Sequence, residues 1–192
     1  MKSDDLFTTL SAIHPLSEKF KGSLSKELIP LSLPKNHLLL EAPKTAEYAY
    51  FINSGFAMSY SFQDNKKIIE SFWKQGQIMT SIGSFYEQTP SNESIQLMEN
   101  SELLCLSNAG LHRLFNKHKE AHYLYHKILN RHHAKCRSRI RDIQRLSALE
   151  RLDILLRIYP DIEQIIPQEN IASYLSITPQ SLSRLKRQRE SS

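Results

Sequence analysis

Apolar residues fall at Leu6, Leu10, Ile13 and Leu16, and Leu24 and Leu28 follow Gly22. That spacing predicts amphipathic helix over residues 4–27, broken at the glycine. From Pro30 the texture changes to short apolar runs: His37–Leu40, Tyr48–Ile52, Phe56–Phe62, Ile68–Trp73, Ile95–Met98 and Leu103–Leu106. Turn residues separate them, at Pro34-Lys35-Asn36, Ala42-Pro43-Lys44, Asn53-Ser54-Gly55, Gln63-Asp64-Asn65 and Thr89-Pro90-Ser91-Asn92. Strands of this length at this spacing predict an antiparallel roll or barrel. From Leu111 to Pro160 no turn signal appears, and Leu129, Cys136 and Ile143 recur every seven residues. This predicts one long helix over about 111–146 and a second around Ala148–Ile158, ended by Tyr159-Pro160-Asp161. The fold class is therefore α+β: an N-terminal antiparallel β-roll, a long helix and a C-terminal helical domain.

Composition adds constraints. The chain has 192 residues, 40% hydrophobic and 23% charged, enough to bury a core. No apolar run reaches the ~18 residues of a membrane span. Met1–Phe7 carries two aspartates and no apolar stretch after a basic start, so the expected compartment is the cytoplasm. Two cysteines, Cys105 and Cys136, exclude a disulfide scaffold and a four-cysteine metal site or cluster. No phosphate-binding glycine loop, dinucleotide fingerprint or zinc-protease motif is present. Ser, His and acidic residues form no nucleophile elbow, so no catalytic residues are assigned and the chain is not read as an enzyme. Charge is uneven: residues 1–110 hold 9 Lys+Arg against 12 Asp+Glu, residues 111–192 hold 16 against 8. A basic C-terminal part suits a polyanionic partner.

The stretch from Pro167 to Arg187 carries the chemistry that uses this charge. Ile171, Ala172 and Leu175 give a short helix an apolar face with a small residue at a crossing point. Ser176 occupies the turn, where a left-handed backbone favours glycine, and Ile177 is an apolar plug. Thr178 can N-cap a second helix that has Pro179 at its first position. Leu182 and Leu185 face inward, leaving Gln180, Ser181, Ser183, Arg184 and Arg187 outside. This is the pattern of a helix-turn-helix, whose second helix presents polar residues to base edges in the major groove of double-stranded DNA.

In this order, roll, long helix and helix-turn-helix resemble the Crp/Fnr family of transcription regulators over nearly the whole chain. The resemblance rests on Phe51-Ile52-Asn53-Ser54-Gly55-Phe56, similar to the hairpin turn of the roll, and on Ile171-Ala172 with Ile177–Arg184. It implies a cyclic-nucleotide-binding-like sensor domain at 1–110, a dimerisation helix at 111–146 and a DNA-binding domain at 147–192. It further implies a homodimer on a palindromic operator, with RNA polymerase as a further partner and no membrane. Gln180 and Arg184 fall on the family's base-reading positions, and Thr178 and Ser181 among its phosphate-contacting ones. Only Tyr159–Ile166 separates the helices where many members carry a β-hairpin wing, so the wing is reduced or absent.

The resemblance weakens at the effector pocket. The family's cyclic-nucleotide form uses a glutamate on the ribose and an arginine on the phosphate, but Gly76–Ile95 contains no Lys or Arg and carries Glu87 and Glu93. A buried anion without a cation is costly, so cAMP is disfavoured as the cofactor. The pocket is either empty or takes an uncharged small-molecule effector near Phe72, Trp73, Gly83, Ser84, Phe85 and Tyr86, and ordinary core packing is the simpler account of these aromatics. The family's iron–sulfur sensors need several N-terminal cysteines, and none precedes Cys105. Six of the eight histidines lie between His112 and His133. His118, His122 and His126 share one helix face at i, i+4, i+8, but a solvated polar face accounts for them and no metal is assigned. A sensor module that acts through a protein partner is the alternative reading of the whole chain.

Overall fold

The structure is a computed structural model and describes residues 3–190. The elements in chain order are α1 (Asp4–Ser11), α2 (Glu18–Glu27), β1 (Leu28–Leu33), β2 (Leu38–Leu40), β3 (Tyr48–Ser54), β4 (Phe56–Gln63), β5 (Lys66–Lys74) and β6 (Ile78–Met79). There follow α3 (Ile82–Glu87), β7 (Ser94–Leu97), β8 (Ser101–Ser107), α4 (Asn108–Lys117), α5 (Lys119–Arg145), α6 (Ala148–Ile158), α7 (Ile162–Ile165), α8 (Gln168–Tyr174) and α9 (Pro179–Glu190). Two compact units result: residues up to 59 with 72–131, and residues 60–71 with 132–192.

The first unit is the roll with its helices. Its strands form two four-stranded sheets, ordered β1-β8-β3-β6 and β2-β7-β4-β5. Pro30 lies in β1 opposite Leu104. A proline has no N–H to give a ladder, and β1 is an edge strand, where that donor is not needed. Leu6, Leu10, Phe20 and Leu24 bury the inner faces of α1 and α2 in one core with Phe51, Ile52, Leu103 and Leu104. Asn53-Ser54-Gly55 is not a simple hairpin turn. It is the corner at which the chain leaves the first sheet for the second, with a register shift between Ile52 and Ser54. Gly55 has φ +107°, and a Cβ there would lie 2.7 Å from the Cβ of Ser101, so corner and neighbour both require glycine.

Two helix boundaries differ from the pattern. The N-terminal helix breaks at Ala12–Ser17 rather than at Gly22, which lies inside α2. Pro15 falls in this break, where helix continuation is disfavoured. The Ser17 hydroxyl then accepts from the Phe20 N–H at 3.2 Å and starts α2 anew. Its own N–H and hydroxyl donate to the two carboxylate oxygens of Glu120, each at 2.8 Å. The long helix over about 111–146 is two helices, because His118 is extended at φ −140°. Its ring is held 2.9 Å from the Ser23 hydroxyl of α2, a partner far away in sequence.

The second unit builds its core from Leu152, Leu155, Leu156, Ile162, Ile166, Ile171 and Leu182, with Ile69 from the β4–β5 hairpin. Asp64 and Asn65, both at positive φ, make the tight turn of that hairpin. Ser147 and Glu150 form a reciprocal capping box at the start of α6. Arg139 of α5 donates to the carbonyls of Glu70, Ile69 and Tyr174 and lies 4.1 Å over the Tyr174 ring. The Ser173 hydroxyl accepts from the Ile69 N–H and donates to the Lys67 carbonyl, both at 3.1 Å. Together these bonds tie hairpin, α5 and α8 into one body. Between α6 and α8 the described residues hold only the four-residue α7 and no strand, so the wing is absent there.

Candidate nucleic-acid interface and effector cavity

The helix-turn-helix forms as its residues dictate. Ile171 and Ala172 are fully buried, the size of Ala172 allowing α9 to cross α8 closely. Ser176 takes the left-handed turn at φ +56°. The Thr178 hydroxyl accepts from the Ser181 N–H at 3.1 Å and pairs with the Ser181 hydroxyl at 3.0 Å. Both side chains are therefore engaged in the cap. Leu182 is fully buried.

Gln180, Ser183, Arg184 and Arg187 are spaced i, i+3, i+4 and i+7, so they share one face of α9. Gln180, Arg184 and Arg187 are exposed, and Arg187 reaches back to the Ser183 hydroxyl at 3.4 Å. Lys186 points elsewhere, in an ion pair of 2.5 Å with Glu163 of α7. Arg189 pairs with Asp153 of α6 at 3.0 Å. Two cations thus hold α9 to its own domain, while Arg184 and Gln180 project from it. An arginine and an amide one turn apart can each make two hydrogen bonds to a base edge.

The predicted effector residues do not form one pocket. Phe72 is fully buried against Phe56, ring centroids 5.9 Å apart, and Trp73 is buried in the core. The Ser84 hydroxyl accepts from the Ala46 N–H and donates to the Thr89 carbonyl. Tyr86 is half exposed and stacks on Tyr125 at 4.8 Å, and Gly83 has open space around its α-carbon. Only Phe85 of the six lines the apolar cavity of the first unit, a space of about 130 Å³. That cavity is bounded by Leu10 and Phe20 of the N-terminal helices, Tyr50 and Leu104 of the sheet, and Leu124 and Leu129 of α5. Burial, with smaller contributions from Cys105 and Tyr48, pushes the Tyr50 phenol up, so its hydroxyl stays neutral. A wider hollow of about 560 Å³ is lined by Glu41, Lys44 and Glu47 among others. Lys44 is already paired with Glu41 at 2.8 Å, leaving the hollow with more carboxylate than ammonium.

Within Gly76–Ile95 the buried hydroxyls of Ser81 and Ser91 bond each other at 3.1 Å. These two hydroxyls are therefore engaged with each other, and the segment offers an anion no side-chain cation. The histidine stripe also disperses: His118 bonds Ser23, the His122 ring reaches the Phe115 carbonyl at 3.2 Å, and His126 lies against Tyr125. Sequence spacing drew attention to this stripe and passed over a closer pair. The Cys136 sulfur lies 3.4 Å from Nε2 of His132, one turn apart on α5. The i, i+4 spacing of those two residues is the signal that could have found them.

Residues 30–118 match the family model of the cyclic nucleotide-binding domain. No curated protein matches the chain in sequence. Among solved structures, FixK2 from Bradyrhizobium japonicum superposes with TM-score 0.72 at 16% identity, covering 85% of this chain and 85% of that one. A transcriptional regulator of the crp/fnr family from Eubacterium rectale gives 0.73 at 15% identity, covering 91% of this chain and 84% of the other. The c-di-GMP-responsive global regulator CLP from Xanthomonas campestris gives 0.69 at 13% identity, covering 91% and 92%. The roll is thus similar over residues 30–118 to the cyclic nucleotide-binding domain, and the chain carries the fold of solved Crp/Fnr transcription regulators. Among the described residues no helix is long and apolar enough to cross a membrane.

Proposed function

We propose that this chain is a transcription regulator of the Crp/Fnr type that binds a palindromic operator as a homodimer. Its division of labour is sensor at 1–110, dimerisation helix within 111–146 and DNA-binding domain at 147–192. The observation that carries the reading is the face of α9. Gln180 and Arg184 project from a capped helix, while Lys186 and Arg189 are spent on Glu163 and Asp153. In that arrangement Gln180 and Arg184 read bases, Thr178 and Ser181 set the helix start against phosphate, and Ser183 and Arg187 support the contact.

Dimerisation follows the α5 seam. Leu129, Cys136 and Ile143 recur at seven residues, Cys136 is exposed and Ile143 is 40% exposed in the single chain. A second copy of the same face covers them. The effector is an uncharged, mostly apolar small molecule in the cavity of about 130 Å³, where Phe85 and Leu129 both reach it. A cavity of this size admits something near benzene.

A gel shift on palindromic duplex across a salt series tests the reading. Specific binding that falls steeply with salt supports it, because each displaced phosphate counterion contributes about 0.9 to the slope of log K against log salt. A chain that shifts no duplex at any salt and instead retains a protein partner supports the alternative, a sensor acting through protein contact.

A further inference from the structure

We propose that the hollow of about 560 Å³ in the roll is a second ligand site, which takes a small organic ammonium compound with an apolar body. The site lies wholly within the first unit and is separate from both the DNA-reading face and the apolar effector cavity.

The charge of the hollow is unbalanced. Its charged lining residues are Glu41, Lys44 and Glu47. Lys44 is spent on Glu41 at 2.8 Å. Among the described residues Glu47 has no cation within ion-pair distance, so one carboxylate is left over. A ligand with one positive charge brings the hollow to neutrality, and its N–H groups make charge-assisted hydrogen bonds to that carboxylate.

A second observation is independent of that charge. Tyr50 lines the hollow yet is only 8% exposed, and its hydroxyl has no hydrogen-bond partner among the described residues. A tyrosine buried to this degree ordinarily finds one. Burial first, then Cys105, Tyr48 and Glu47, keep the phenol neutral, so its oxygen can accept from an ammonium N–H. The Thr80 hydroxyl, also in the wall, donates to the Tyr48 carbonyl at 3.1 Å, which leaves it acceptor capacity. The polar part of the hollow is therefore rich in acceptors, and an ammonium group carries three donors and no acceptor.

The remaining walls suit the body of such a molecule. Leu38, Leu40 and Ile95 line the same space. The rings of Tyr48 and Tyr50 stand 6.2 Å apart, and an aromatic face attracts a cation within about 6 Å. The volume falls within the range of about 300–1,000 Å³ usual for small-molecule sites.

The rim is also fixed in place. The loop at residues 41–47 joins β2 to β3. Within it the Ala42 N–H donates to the Ser94 hydroxyl at 3.0 Å, and the Ala46 N–H to the Ser84 hydroxyl at 2.9 Å. The Ser91 N–H donates to the Lys44 carbonyl at 3.1 Å, and the Asn108 N–H to the Glu47 carbonyl at 2.9 Å. A loop pinned at four points loses little freedom when a ligand arrives.

The test titrates the full chain with n-hexylamine, using n-hexanol and hexanoate as neutral and anionic probes of the same length. Calorimetry is expected to show one hexylamine per chain, hexanol weaker by about tenfold, and no binding of hexanoate. Backbone amide signals in the NMR spectrum should shift over residues 41–50 and at Thr80 and Ile95. Glu47→Gln should lower the affinity by about tenfold and Tyr50→Phe by a smaller factor, each variant keeping a cooperative melting transition. Lys44→Gln should tighten hexylamine, because it releases the Glu41 carboxylate to the ligand. Leu104→Trp, which fills only the apolar cavity, should leave the affinity unchanged. No binding of hexylamine at millimolar concentration, or hexanol bound as tightly, overturns the ammonium site. Unchanged affinity in Glu47→Gln, weaker binding in Lys44→Gln, or binding lost in Leu104→Trp overturns it too. Operator binding is read separately by gel shift, so none of these results decides the DNA-binding reading.

Discussion

Ser176 marks the tightest backbone demand in the helix-turn-helix, at φ +56°. The left-handed conformation costs a non-glycine residue about 1–2 kcal/mol, and glycine returns part of that gain as unfolded-chain entropy. Ser176→Gly is expected to raise stability by up to about 1 kcal/mol, read from thermal or urea unfolding, with DNA selectivity unchanged. The same turn leads into α9, where two residues separate by role. Arg184 is exposed, whereas Lys186 is tied to Glu163. A bidentate arginine–guanine contact is worth about 1–3 kcal/mol of discrimination. Arg184→Ala should collapse the ratio of specific to scrambled binding at fixed salt, and Lys186→Ala should weaken both slightly and equally. An unchanged ratio in Arg184→Ala would show that α9 reads no bases. These residues were legible in the sequence because caps, turns and i, i+4 faces are local rules. The fate of Lys186 was legible only as a direction around the helix, since Glu163 lies on another element.

At the scale of elements, α5 is the test of the heptad. Leu129→Glu with Ile143→Glu would place four carboxylates in the proposed dimer seam, and should give monomers by light scattering that no longer bind operator. A folded dimer that binds DNA normally would place the interface on another face. The seven-residue recurrence was visible in sequence because it is a property of one helix. The break at His118 was not, because it is fixed by Ser23, 95 residues earlier in the chain. For the same reason the residues that line the apolar cavity could not be assembled from the stretch Phe72 to Tyr86. Aromatics close in sequence alternate sides along β5 or turn about α3, so Phe72 packs on Phe56 while Phe85 lines the cavity. Helices α2 and α4 are joined by Arg113, which donates twice to Glu27 at 3.0 and 2.6 Å. The Arg113 hydrogen bonds hold the Glu27 carboxyl below its ordinary range against the opposing effect of burial. A lowered carboxylate contributes stability above the unfolded value near 4.3 and loses it as pH falls through the lower folded one. Glu27→Gln should therefore flatten the acid limb of a melting-temperature profile, the variant melting below the parent at neutral pH and converging with it in acid.

For the whole molecule, the proposed function turns on what the roll can hold. A cyclic nucleotide brings one phosphate charge and a bulk that usually fills a pocket of about 300 Å³ or more. The apolar cavity, about 130 Å³, is too small for it. The wider hollow has room but sets Glu41 and Glu47 against one lysine, itself paired. Between β6 and β7, where the family resemblance places the phosphate, Ser81 and Ser91 close on each other. Leaving a phosphate there would cost an unpaired buried charge, far more than backbone amides alone offset. Titration calorimetry with cAMP should accordingly show no micromolar binding, and operator affinity should change less than about twofold at saturating nucleotide. The contrasting arm is a small aromatic hydrocarbon probe such as benzene, which needs only the apolar walls offered by Leu10, Phe20, Leu104 and Leu124. Benzene should raise the melting temperature of the chain, and Leu104→Trp, which fills the cavity, should remove that rise. Micromolar cAMP affinity with a matching gain in operator binding would overturn the charge argument, and would require a cation brought to the roll by the second copy of the dimer.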